Sequence, residues 1–224
     1  MGRHTQHRLI TTVAEEELPD GTLTTRYRFS HALYQDQSAR IAASLAVHFE
    51  RGRDFERAVD YLITAADNAT HAYANTEADA LYSHALALVD RLDGAVQAKT
   101  QITILGKRAE TRLTRSQFSG AAEDFSPLVE QARSLDDAAS EFSGLTSLTQ
   151  ALFFSHRLDE TAERAGQALA GAERGKNAAW QADVLNLVGL KQLCYGELKD
   201  AKQSLDNAIA LARRWDIHRR WPLG

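Results

Sequence analysis

The chain has 224 residues, 44% of them hydrophobic and 25% charged, with a formal net charge of -4. That length allows one or two domains with a substantial core, and the absence of any long basic run removes the electrostatic drive toward nucleic acid. A single cysteine, Cys194, excludes an internal disulfide or a Cys-rich metal site.

No apolar stretch approaches the ~20 residues needed to cross a bilayer, and MGRHTQHRLITT lacks the apolar core of a signal peptide. The expectation is a soluble cytoplasmic protein without a membrane partner. Alanine is abundant and prolines number only three, which favours helices.

In chain order, His7–Val13 and Thr22–Phe29 are rich in Thr, Ile, Val, Tyr and Phe. Between them lie Glu15, Glu16 and Glu17 and then Leu18-Pro19-Asp20-Gly21. Proline presets φ and Asp-Gly accepts positive φ, so residues 7–29 are predicted to form a β-hairpin that must pack on something. From about Ser30 the apolar spacing becomes helical.

A 40-residue register runs through the second half. Leu105, Leu145 and Leu185 keep this step, as do Leu113, Phe153 and Leu193, and Phe118, Leu158 and Leu198. Small residues keep it too, at Ala109, Thr149 and Gly189 and at Ala121, Thr161 and Ala201, with Leu128, Ala168 and Ala208 completing the set. Positions such as 102, 105, 109 and 113 lie on one helical face. Small residues let two helices approach and large ones fill the grooves, so each helix pair must stack on the next. Pro127 falls inside one predicted helix, where it removes a backbone hydrogen bond and should kink the chain. Arg213-Arg214 and Arg219-Arg220 read as solvated helix ends.

This pattern resembles the tetratricopeptide repeat, in a form longer than the usual ~34 residues. The stretch Leu45–Val59 is similar to one such unit, with Gly52 at the turn, Phe55 at the aromatic position and Ala58 at the small one. A following helix, Glu77–Leu92, carries Ala78, Tyr82 and Ala85 in equivalent roles. The fold class expected is all-α, a tetratricopeptide-like helical-hairpin superhelix (α-solenoid) with a short N-terminal β-hairpin.

Two further strings, LPDGTLTTRYRFSHALYQ (Leu18–Gln35) and IAASLAVHFERGRDFERAVDYLITAADNA (Ile41–Ala69), resemble the region after the ATPase module in bacterial STAND-type regulators. In those multidomain proteins the ATPase is linked to a cyclase, a kinase or a DNA-binding output, and the repeats form a sensor arm. The resemblance implies two domains. Residues 1–36 would be the hairpin and helix ending a winged-helix element, and residues 37–224 the repeats, in 40-residue units from about 98. It also implies a fragment without the ATPase module. The chain departs from the family at Asp36–Gln37, where relatives carry an additional helical stretch. Its last residues, Trp221 to Gly224, stand where another repeat is expected to begin, so both ends read as cut rather than capped.

Catalytic and cofactor chemistry finds no support, and no enzyme activity or cofactor is expected. Gly171–Asn177 comes nearest to a phosphate-binding loop, but its glycines are too close, it ends in Asn and it follows a helix, so it reads as an inter-repeat turn. The eight histidines form no His-Glu-x-x-His pattern. A Ser-His-acid set cannot be singled out, and Cys194 reads as a small apolar filler.

With 102, 105, 109 and 113 turned to the core, Glu110, Thr114, Gln150, Phe154, Asn186, Leu190 and Cys194 become candidates for an open, protein-binding face. The expected partner is a protein or peptide, including the chain's own ATPase module, with no direct nucleic-acid contact. The alternative is a repeat domain that senses a small-molecule effector and controls a linked ATPase, cyclase or DNA-binding output. Oligomeric state, effector and output domain are not specified by the sequence.

Overall fold

The structure is a computed structural model that describes residues 10–17, 23–29 and 31–220. The chain divides into two compact units, Met1–Leu92 and Asp93–Gly224. Among the described residues nine helices carry the fold.

In unit 1, strands β1 (Ile10–Glu17) and β2 (Leu23–Phe29) pair antiparallel from Ile10↔Phe29 to Glu17↔Leu23, with a register shift between Thr12 and Ala14. The acidic run Glu15–Glu17 therefore extends a strand instead of opening the turn, and the Pro-Asp-Gly turn lies outside the described residues. The fold assignment rests on the helices alone.

Helices α1 (His31–Arg51), α2 (Phe55–His71) and α3 (Asn75–Val89) follow, with α2 packed against both others. Alanines dominate the α2 seam: Ala58, Ala65, Ala66 and Ala69 are buried beside Val59 and Leu62. Small side chains of this kind let backbones approach closely while keeping high helix propensity. Ala78, Tyr82 and Ala85 of α3 are buried as the repeat pattern requires, and the Tyr82 hydroxyl donates to Asp67 Oδ1. Phe49 stacks on Tyr61 with ring centres 5.4 Å apart.

Unit 2 consists of α4 (Gly94–Thr114), α5 (Phe118–Ser134), α6 (Ala138–Phe154), α7 (Leu158–Arg174), α8 (Ala178–Cys194) and α9 (Leu198–Arg220). Each helix packs on the next, and α6 also touches α4 and α8, so the even-numbered helices form one layer of an α-solenoid. Every small position of the 40-residue register is buried, including Ala109, Thr149, Gly189, Ala121, Thr161 and Ala201. Gly189 explains itself by distance: a Cβ there would lie 2.7 Å from Leu205 Cγ. The α5 helix runs unbroken through Pro127, which is exposed on the same side as Glu123, the residue whose carbonyl its missing N–H leaves unpaired.

One three-residue turn recurs at seven of the eight described helix junctions, the exception being α3–α4. In the α4–α5 turn the Ser116 N–H donates to Leu113 O and the Gln117 N–H to Arg112 O, with Ser116 at φ 56°. This is a Schellman closure, which satisfies the last carbonyls of a helix with one left-handed residue. It repeats at Arg53, Tyr73, Asp136, His156, Lys176 and Gly196, all at positive φ. Gly52, expected at the turn, opens it as the residue before the left-handed one; Arg53 takes the φ of 60°. Gly171–Asn177 ends α7 and starts α8 through the same turn. Where an aspartate follows, it caps the next helix: Asp54 accepts from the Arg57 N–H and Asp137 from the Ser140 N–H, and the side-chain and backbone bonds from Ser140 hold the Asp137 carboxyl below the usual carboxylate range.

Tyr73 is 89% exposed yet held at φ 60°, so its side chain contributes little packing while its Cβ crowds the backbone. A left-handed L-residue costs about 1–2 kcal/mol, part of which glycine returns as unfolded-chain entropy. Tyr73→Gly is therefore expected to stabilise the chain by about 1 kcal/mol, or ~2–4 °C in the thermal midpoint. An unchanged or lower midpoint would remove strain from the account of this turn.

Candidate functional site

The even-numbered helices of unit 2 present one exposed stripe each, set by four- and three-residue steps that return to the same face. On α4 it comprises Thr103, Glu110 and Thr114 with half-buried Lys107; on α6, Ser143, Gln150 and Phe154 with half-buried Ser147; on α8, Asp183, Leu190 and Cys194 with half-buried Leu187. Opposite faces of the same helices hold Leu105 and Ala109, or Leu145 and Thr149, in the core.

All seven residues singled out from the sequence lie on these three helices and all are exposed: Glu110, Thr114, Gln150, Phe154, Asn186, Leu190 and Cys194. Six share the two outermost columns. Asn186 stands one column aside, in register with half-buried Gly106 and Thr146. The stripe changes character along the array, from Thr, Lys, Glu and Thr on α4 to Asp, Leu, Leu and Cys on α8. Phe154 and Leu190 are each 44% exposed.

The polar side chains differ in what they offer. Hydroxyls of Thr103 and Thr114 donate to carbonyls of their own helix, Lys99 O at 3.1 Å and Thr111 O at 2.7 Å. Their outward contribution is then largely a methyl group. Glu110 and Gln150 have no hydrogen-bond partner among the described residues, so their polar atoms face solvent ready for an external group. Phe154 is held in place by stacking on Phe118 at 5.0 Å and an edge contact with Phe153 at 5.4 Å.

Behind the α4 stripe sits a charged group that the sequence reading passed over. Asp124 of α5, with its side chain 3% exposed, accepts from Arg108 Nε at 3.0 Å and from Arg112 Nη1 at 2.9 Å. Arg112 also donates to the Gly120 carbonyl. The signal was present in the register: Arg108 stands where the next two units have Leu148 and Val188. A charge in an otherwise apolar column marks a paired group, because an unpaired one would be prohibitively costly there.

A third feature is a partly open cavity of about 310 Å³ lined by α6, α7 and the start of α8, with Phe142 and Trp180 stacked 4.4 Å apart in its wall. Among the described residues no cluster of three or more His, Cys, Asp or Glu side chains is placed to hold a metal ion. No described helix is long and apolar enough to cross a membrane.

No protein-family model and no curated relative matches this chain. Similarity appears in solved structures. BtubC (BKLC) from P. vanneervenii superposes with a TM-score of 0.63 at 17% identity, covering 82% of this chain and 72% of that one. A Podosopora anserina protein of nearly identical TPR-like repeats gives 0.62 at 12% identity, covering 84% and 99%. The Rap conjugation gene regulator of the plasmid pLS20, solved in complex with the Phr* peptide, gives 0.58 at 14% identity, covering 72% of this chain and 44% of that one. The likeness establishes the fold, a TPR-like array of helical hairpins.

Removing one member of a buried charge group strands the others, at a cost of about 3–5 kcal/mol. Asp124→Ala is therefore expected to lower unfolding stability by roughly 3 kcal/mol in urea titration. A loss below ~1 kcal/mol would mean that solvent already screens Arg108 and Arg112.

Proposed function

We propose that this chain is a protein-interaction module whose α4/α6/α8 stripe receives a peptide or protein segment, with no catalysis of its own. The observation that carries the reading is the stripe itself. Three alternate helices expose the same columns, with free polar groups at Glu110 and Gln150 and apolar ones at Phe154 and Leu190. A binding surface needs an apolar centre with polar groups nearby to fix register, and this stripe supplies both. The peptide complex of the Rap regulator supports the reading by showing that one protein of similar fold takes a peptide.

In its finer form the proposal makes the chain a sensor arm of a bacterial signalling or transcription-regulating ATPase of the STAND type, acting in the cytoplasm. Its own ATPase module is then one partner of the stripe. Residues 1–36, with the hairpin, end a winged-helix element, and residues 37–224 form the repeats. This part rests on the resemblance of Leu18–Gln35 and Ile41–Ala69 to those regulators. A second reading, sensing of a small-molecule effector, is favoured by the cavity beside Phe142 and Trp180.

Peptides selected by display against the full chain test the docking face. The double variant Phe154→Ser, Leu190→Ser is expected to weaken the selected peptides by at least about tenfold while circular dichroism stays unchanged, since central apolar anchors carry most of the affinity. Undiminished binding would place the docking surface elsewhere, and loss of helical signal would make these residues core.

The ATPase link is tested by reading the coding DNA on both sides of this frame. An in-frame phosphate-binding loop upstream is the expected result. Stop codons close on both sides would exclude the sensor-arm form and leave a free-standing adapter.

A further inference from the structure

The cavity has an origin that the register makes visible. In the first hairpin of unit 2, Gln131 of α5 donates from Nε2 to Gln101 Oε1 of α4 over 3.1 Å and closes the space between the helices. Forty residues later the same two positions are Glu141 and Gly171. Glu141 turns to Arg133, whose Nε lies 2.9 Å away, and this hydrogen bond raises the already high basicity of that guanidinium. Glycine offers no side chain, and a Cβ built at Gly171 meets no atom within 4 Å. The cross-bridge is gone and about 310 Å³ of space takes its place.

The next helix covers this space without filling it. Trp180 lies on Phe142 with the rings 6° from parallel, which gives the cavity an extended aromatic wall beside Leu145. Two charged side chains reach the lining, Glu141 and Arg174. The first is paired with Arg133, which also bonds Glu130. The second, in the last turn of α7, pairs with no carboxylate among the described residues. The volume is at the small end of the ~300–1,000 Å³ typical of ligand pockets, which fits one or two rings rather than a cofactor.

We propose that this cavity binds a small aromatic carboxylate, its ring on the Phe142–Trp180 wall and its carboxylate on the Arg174 guanidinium. Flat apolar walls of two stacked rings favour a third ring by offset or edge contact over an aliphatic chain. The exposed Arg174 in the lining offers a guanidinium fork, which favours a planar anion that accepts two bonds at once. The site gives the effector reading a place and a ligand class. It shares no residue with the docking stripe, so either can fail while the other stands.

The test is an amide-resolved NMR titration of the full chain with 3-phenylpropionate, with 3-phenylpropionamide and hexanoate as matched controls. The expected result is saturable movement of the Trp180 indole N–H and of the Gly171 and Gly175 amides. Loss of the charged bond in the amide, or of the ring in hexanoate, should weaken binding by about tenfold or more.

Gly171→Gln restores the side chain that the preceding hairpin carries at this position, so it should fold, melt no lower than the parent and abolish the shifts. Arg174→Gln should bind carboxylate and amide alike. The proposal is overturned if 3-phenylpropionate produces no saturable shift at these resonances, or if Gly171→Gln binds as well as the parent. Equal binding of hexanoate, or a carboxylate preference that survives Arg174→Gln, would equally overturn the assignment of ligand and anchor.

Discussion

The structure depends on one short piece of backbone used repeatedly. Seven of the eight described helix junctions, all but the one from α3 to α4, use a left-handed residue that lets two amides reach back to otherwise unpaired carbonyls, and the following residue caps the next helix at once. Because this turn is three residues long wherever it occurs, helix length alone sets which faces meet within unit 2. From α5 to α8 every helix has 17 residues, and the left-handed positions from Ser116 to Gly196 fall twenty apart. The 40-residue register, the alternation of layers and the exposed stripe all follow from that pitch.

How much of this was legible depended on which residues carried the information. Core columns were legible because they combine small and large apolar side chains at fixed spacing, as at Ala109, Thr149 and Gly189 beside Leu105 and Leu145. The turns were hidden. Six of the seven left-handed positions are Arg, Tyr, Ser, Asp, His and Lys rather than glycine, so the usual composition signal is missing. Gly52 drew attention and yielded the special φ to its neighbour. The stripe could be placed on its helices because its phase follows from the core columns. The Asp124 group shows in the sequence only as a break in an apolar column, at Arg108, and the cavity lies at Gly171 in a column of Gln131, Gly171 and Leu211 that keeps no common residue type.

Those departures divide unit 2 into regions of different character. Near α4 and α5 the hairpin is locked by the Asp124 charge group and by the Gln101–Gln131 bridge, and its outer stripe is polar. Toward α6, α7 and α8 the bridge is replaced by space, the stripe turns apolar, and rings gather at Phe142, Trp180, Phe153 and Phe154. A repeated scaffold gains chemistry where one copy breaks the rule kept by the others, since the packing that keeps the rule has no room for anything else.

The uniform pitch also governs how such a chain can change over time. A block of 40 residues can be duplicated, lost or exchanged with its neighbour, and each surviving interface still meets the partner it was shaped for. A single inserted residue is different. It rotates everything beyond it by about 100°, carrying an exposed column such as 110, 150 and 190 toward the core. The step from Tyr73 to Ser116 is out of phase with the twenty-residue count, and it spans the boundary at Leu92 and Asp93 and the longer α4. Length changes that no hairpin could absorb have a place there, between two units that each keep their own register.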